Sequence, residues 1–167
     1  MMDNKEYAFE LTPELCIQCH ACESACKNWR HTENFLSWRK VHLVEEGQFP
    51  NIKVHYYSVA CMHCVNPACM KVCPVKAISK NEKGIVLVDS EKCIGCKLCQ
   101  KACPYDIPVF GKDKKMQKCD MCAGIMPEEQ QSPCVRMCPT RALKRVMVSV
   151  EEKQKMEDEY LRKLQRR

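Results

Sequence analysis

The chain has 167 residues, 29% of them charged, with a formal net charge of +6 and 16 cysteines. This length allows one compact unit or two very small ones, and no run approaches the roughly 18 apolar residues of a membrane span. Cysteine at this density means disulfides or metal; MMDNKEYAFELTPEL has no apolar h-region and no cleavage site, so the thiols read as reduced and intended for metal.

In chain order, EYAFEL reads as a strand leading into the first of four cysteine groups, Cys16, Cys19, Cys22 and Cys26. SWRKVHLVEE and NIKVHYYSVAC, again strand-like, lead to the second group, Cys61, Cys64, Cys69 and Cys73. GIVLVDSEKC leads to the third, Cys93, Cys96, Cys99 and Cys103. The fourth is Cys119, Cys122, Cys134 and Cys138, followed by the strand-like ALKRVMVSV. Gly47, Gly84, Gly111 and Gly124 fall where turns are expected. The last stretch, EEKQKMEDEYLRKLQRR, lacks Gly and Pro and reads as a charged helix; a solvated tail is the plainer reading, a docking arm the sharper one.

No cysteine is left over, and every group ends in C-x3-C. Groups one and three follow C-x2-C-x2-C-x3-C, the bacterial ferredoxin pattern for cubane iron–sulfur clusters. The short loop lets three thiolates reach one cluster. The fourth cysteine, expected in the first turn of a helix leading away, binds the other cluster of the pair in two-cluster ferredoxins. Pro74, Pro104 and Pro139 each follow a fourth cysteine, where they suit a change of direction. Four zinc sites would use as many cysteines, but zinc ribbons use paired knuckles. With only four Phe and two Trp, the chain is expected to fold around its cofactors. Four clusters, each carrying about −2 with its thiolates, bring the total charge to roughly −2, which argues against a nucleic-acid partner. The basic run Gly111–Lys118 accordingly reads as a solvated connector.

With these groups in this order, the sequence resembles the four-cluster iron–sulfur subunits of dimethyl-sulfoxide-reductase-type molybdopterin oxidoreductases. The resemblance runs from about Tyr7 to Lys144. It is carried by NPAC in group two, CIGC and CPY in group three, the long gap in group four and its ending PCVRMCPTRAL. It implies an α+β fold of two ferredoxin-like two-[4Fe–4S] modules, the inner inserted in the outer, with a short C-terminal helical tail. The outer module would be 1–51 and 114–150, the inner 52–113 and the tail 151–167. One cluster would use Cys16, Cys19, Cys22 and Cys138; a second Cys26, Cys119, Cys122 and Cys134. A third would use Cys61, Cys64, Cys69 and Cys103; a fourth Cys73, Cys93, Cys96 and Cys99. The implied partners are a molybdopterin catalytic subunit and a membrane quinone-binding subunit or another redox protein. The implied location is the cytoplasm, with membrane association through partners; export alongside a signalled partner is the alternative. Group one departs from the pattern in having Gln18 where group three has Gly95, so its loop is expected to differ in shape.

Several residues invite a role. His20 and His63 lie inside ligand loops but are surplus to a complete cysteine set, so hydrogen bonding or solvent contact is expected of them. His31, His42 and His55 read as ordinary surface groups. Ile17, Ile94 and Met121, in the ligand loops, are expected to shield clusters from water. Lys27, Trp29 and Arg30 follow Cys26; beside the plain packing reading stands a partner-contact surface. The five glycines build no phosphate loop or dinucleotide fingerprint, and no nucleophile–base constellation stands out. The chain therefore reads as a non-catalytic electron carrier, the substrate chemistry belonging to a partner's cofactor. The alternatives are a polyferredoxin linking a formate dehydrogenase to a hydrogenase, and a zinc-stabilised interaction module.

Overall fold

The computed structural model describes residues 4–127 and 129–164. Among them eight strands form four separate antiparallel pairs rather than one sheet. Strand β1 (Lys5–Leu11) pairs along its whole length with β8 (Leu143–Ser149), from Lys5 opposite Ser149 to Leu11 opposite Leu143. Strands β2 (Lys40–Glu46) and β3 (Lys53–Val59) form a hairpin of the same length, Lys40 facing Val59. All four stretches read as strands in the sequence, where β-branched and aromatic residues suit a half-buried ladder. This hairpin spans the expected module boundary at 51/52.

The other pairs are much shorter: β4 (Ile78–Lys80) with β5 (Val86–Val88), and β6 (Val109–Phe110) with β7 (Met116–Gln117). The run GIVLVDSEKC thus yields only three strand residues.

Helix α1 (Ala21–Arg30) turns Cys22 and Cys26, four residues apart, to its buried face. Helices α2 (Ala68–Lys71), α3 (Leu98–Ala102) and α4 (Pro133–Arg136) are single turns, each carrying the third cysteine of its group. The fourth cysteine therefore does not open an outgoing helix. In groups two to four it follows the helix that the third cysteine occupies, and in group one it lies inside α1. The following proline explains the difference. After Cys73, Cys103 and Cys138 the chain makes the same turn, with Lys76, Asp106 and Arg141 donating N–H to the cysteine carbonyls at 3.3, 3.2 and 3.2 Å. Those three residues adopt left-handed φ angles of 50°, 50° and 56°. Proline favours the second position of such a turn and cannot continue a helix. Cys26 is followed by Lys27 instead, and α1 runs on to Arg30.

Helix α5 (Val150–Leu164) is not a solvated tail. Lys153, Glu157 and Leu164 are buried, and Leu164 packs with Val44, Tyr57 and Val59. The Lys153 ammonium reaches the Glu6 carboxylate at 2.9 Å and the Gly84 carbonyl at 3.3 Å. Glu157 accepts the Val65 N–H, and the Tyr105 and Tyr160 hydroxyls donate to the carbonyls of Glu157 and Ser58. The helix is a strap across β1, β3 and the loop of group two. Cysteines form much of what is buried beneath it: one core group joins Phe9, Ile85, Met121 and Leu143 to Cys22, Cys61, Cys119 and Cys134. Among the described residues no helix is long and apolar enough to cross a membrane.

Candidate metal centres

Each group begins with a loop of one design. Its third residue adopts a left-handed φ: 55° at Gln18, 51° at His63, 70° at Gly95 and 56° at Met121. Turning the backbone this way aims N–H groups back at the first sulfur. His63 and Met121 donate N–H to Cys61 Sγ and Cys119 Sγ, both at 3.4 Å. The Gln18 loop does not depart from the Gly95 loop at this position, contrary to the sequence expectation. Glycine is needed in group three for a different reason. A Cβ at Gly95 would stand 2.5 Å from the Lys114 carbonyl oxygen.

The loops bring cysteines of different groups together. Cys16, Cys19 and Cys22 line a small cavity with Cys138, beside Leu11, Val41 and Leu143. Cys93, Cys96 and Cys99 line a second of the same size with Cys73, beside Ile78, Phe110 and Met116. Thiols elsewhere also act on one another across groups. Cys61, Cys103 and Cys69 act electrostatically on Cys64. Cys134 and Cys26 act likewise on Cys122, and Cys26 and Cys134 on Cys119. Packing of α1 on α4 and of α2 on α3 produces these meetings. Among the described residues no three His, Cys, Asp or Glu side chains are gathered as a single metal ion requires; the cysteines ring cavities instead.

Burial makes eight of the sixteen thiols poorer acids. It pushes Cys26 and Cys69 up to about 11 and Cys122 to about 12. Cys119, enclosed completely, is raised further. Cys138 goes the other way: burial raises it, but the Leu143 N–H, the Thr140 hydroxyl and the Ala142 N–H together outweigh that and lower it. Cysteines ligate as thiolates, so the raised thiols favour ionised sulfur only with a cationic group beside them.

The histidines divide sharply. His20 is exposed and pairs with Glu23 Oε1 at 3.2 Å. His63 is wholly buried, and its Nδ1 accepts the Val86 N–H at 3.0 Å, which puts the ring proton on Nε2. Burial and the nearby Lys118, Lys153 and Arg39 hold it neutral. His31 is exposed; His42 and His55 are half-buried. Ile17 and Ile94 line the two cavities yet remain more than 60% exposed, whereas Met121 is buried. After Cys26, Lys27 donates to the Asn34 and Leu36 carbonyls, and Arg30 pairs with Asp120 at 2.6 Å while lying over the Trp38 ring. Trp29 stays exposed.

Gly111–Lys118 is not a solvated connector. Lys115 donates to the Cys93 carbonyl, Met116 donates its N–H to Cys93 Sγ at 3.4 Å, and the Lys118 ammonium is buried against the carbonyls of Val86 and Cys119. Arg39 has no sequence context that singles it out. It is 1% exposed, inside the group-one and group-four core.

These features define a ferredoxin-like iron–sulfur protein. A family model described as a 4Fe–4S dicluster domain matches residues 52–148, and a second with the same description matches 15–77. Two dicluster matches over 16 cysteines imply four [4Fe–4S] clusters. The chain is 40% identical over 149 residues to the B subunit of an anaerobic dimethyl sulfoxide reductase of Haemophilus influenzae, covering 83% of this chain and 73% of that subunit. It is 39% identical over 152 residues to a formate dehydrogenase iron-sulfur subunit of Wolinella succinogenes, covering 77% and 74%. It is also 39% identical over 133 residues to a thiosulfate reductase electron transfer subunit of Salmonella typhi, covering 77% and 69%. The chain belongs to this family of iron–sulfur electron-transfer subunits, which are not the catalytic subunits of their complexes.

Proposed function

We propose that the chain relays single electrons, through four [4Fe–4S] clusters, between a molybdopterin catalytic subunit and a quinone-binding or other redox partner. The clusters supply one-electron chemistry, and the protein supplies ligands, spacing and electrostatics. Cys16, Cys19, Cys22 and Cys138 hold one, and Cys26, Cys119, Cys122 and Cys134 its neighbour. Cys61, Cys64, Cys69 and Cys103 hold a third, and Cys73, Cys93, Cys96 and Cys99 a fourth. One observation carries this reading: two cavities of equal size, each lined by three cysteines of one group and a fourth from another, Cys138 or Cys73.

The same crossing supports a nested organisation, an inner module at about 52–113 within an outer one made of 1–51 and 114–150. Pairing of β1 with β8 and packing of α1 on α4 favour it. The relatives named as reductase and dehydrogenase subunits favour a molybdopterin partner. The chain's place is at the cytoplasm or, through partners, at the membrane.

The test is anaerobic purification with whatever partner accompanies the chain, followed by metal analysis and spectroscopy. A visible band bleached by dithionite and a molybdenum-containing partner are expected. A hydrogenase partner would favour a polyferredoxin, and colourless protein filled with zinc would overturn the reading. Cys26→Ser then tests the ligand crossing. It is expected to damage the cluster of Cys119, Cys122 and Cys134; damage to that of Cys16, Cys19 and Cys22 would refute the crossing.

A further inference from the structure

Arg39 stands just before β2 with almost no exposure to solvent. Its Nη1 donates to the Ser58 carbonyl at 3.2 Å and to Ser58 Oγ at 3.1 Å. Ser58 Oγ in turn lies 3.3 Å from Cys22 Sγ. The guanidinium lies over the Phe9 ring, 4.4 Å from its centre. Its Nε and Nη2 are buried without a hydrogen-bond partner, and among the described residues no carboxylate pairs with it. A buried cation left this way is costly unless negative charge stands nearby. The groups whose charge acts most on it are Cys134, Cys119, Cys22 and Cys26. Cys22 belongs to one proposed cluster set, and the other three belong to the next.

We infer that Arg39 is the shared counter-cation of the outer cluster pair, fixed by Ser58 and Phe9 between the two sets so that it raises both reduction potentials. The inference rests on the ligand sets proposed above. Reduction adds negative charge, so a fixed positive charge in a dry interior favours the reduced form. Arg39 touches no substrate; it is a positioning residue. Its planar fork keeps two nitrogens, Nε and Nη2, free for sulfur after Nη1 has bound Ser58.

The test is a redox titration, followed by electron paramagnetic resonance, of the assembled complex carrying Arg39→Gln. Signals are assigned to the outer pair by their loss in Cys19→Ser and Cys122→Ser. Two midpoints are expected to fall by at least a tenfold change in reduction equilibrium, about 59 mV for one electron. The other two should shift less, since the cysteines on which Arg39 acts most all belong to the outer pair. Arg39→Lys, which keeps the charge, is expected to load all four clusters and to hold the outer midpoints near wild type. If Arg39→Gln fails to retain iron, a fully loaded Arg39→Lys with wild-type midpoints upholds the inference. Unshifted midpoints in loaded Arg39→Gln, an equal shift of all four clusters, or an Arg39→Lys that loses iron or shifts as far as Arg39→Gln would overturn it. Wild-type complex without four cubane clusters would sink the iron–sulfur reading itself before any variant is compared.

Discussion

The two halves of this protein are stabilised differently. Around groups one and four the chain makes a seven-residue strand pair and a ten-residue helix, with Phe9 and Leu143 in one core group with Cys22 of the helix. Around groups two and three it makes pairs of three and two residues, and helices of four and five. Strands that short bring few ladder bonds and little apolar area, and single helical turns do not persist alone. On the proposed nesting, the inner half, around groups two and three, owes its form to what its cysteines hold. The outer half, around groups one and four, has a scaffold of its own. The proline after the fourth cysteine separates group one from the other three. Groups two, three and four have it and their single-turn helices end before it, whereas group one lacks it and α1 runs on to Arg30.

Metal removal should expose this difference most strongly. Anaerobic chelation followed by hydrogen exchange is expected to abolish protection throughout 61–117 while leaving slow amides in β1 and β8. Uniform loss in both halves would break the comparison. The next largest effect concerns the joint between them. Lys153 links Glu6 of β1 to the Gly84 carbonyl of the inner half, beside the Tyr7 N–H bond to the Lys83 carbonyl at 2.9 Å. Lys153→Met leaves the Glu6 carboxylate with Lys80, 2.6 Å away, as its cation. A loss of about 1.5–3 kcal/mol is expected, that of a hydrogen bond to a charged group, because Lys80 keeps Glu6 paired. It should appear as faster exchange at Tyr7. Burial raises the Glu6 carboxyl, but Lys80 and Lys153 more than offset it, so its pKa lies below the ordinary 4.5. Its contribution is therefore complete at neutral pH and is lost as the pH falls below 4.5 toward the folded value. In Lys153→Met, Tyr7 exchange should depend less on pH in that window.

How far the sequence reveals this depends on the kind of feature. The cysteine groups and the seven-residue strands are legible because each carries a spacing or an alternation of its own. Strands of two or three residues have no period to detect, so β4, β6 and β7 are invisible beforehand, and β5 is legible only inside the longer run GIVLVDSEKC. The helix after EEKQK is legible as a helix but not as a strap. Lys153 and Glu157 look like surface charges until Glu6 and the Val65 N–H are placed opposite them. A sharper signal was available in Ser149 and Glu152, three apart at its start, since that pair is a capping box. Arg39 and Lys118 are beyond sequence reasoning for the same reason as Lys153. A buried cation and an exposed one are spelled alike, and only a fold that surrounds one with thiols distinguishes them.

The ligand loops allow a finer comparison at equivalent positions. Gly95 and Gln18 share a left-handed backbone, but only Gly95 faces a carbonyl too close for a Cβ. Gly95→Ala should therefore cost about 1–3 kcal/mol and loosen the Cys93 loop, read as iron loss from the inner half under mild chelation. Gln18→Gly should slightly strengthen the outer loop by relieving the same backbone cost without a clash. Equal sensitivity of the two loops would mean that Lys114 does not decide the difference.

The smallest effect belongs to the strap that serves both halves. The Ser149 hydroxyl accepts the Glu152 N–H at 3.2 Å, and the Glu152 carboxylate accepts the Ser149 N–H at 3.0 Å. Ser149→Ala removes one arm of this reciprocal cap at about 1 kcal/mol. Because α5 reaches β3 through Tyr160 and the group-two region through Glu157, fraying at its start should raise exchange first at the Glu152 and Lys153 amides. The Val65 amide, bonded to Glu157 one turn further along, should follow less. If Val65 responds as strongly as Glu152, the helix moves as one body, and the outer half then holds the inner one through α5 rather than through their cysteines.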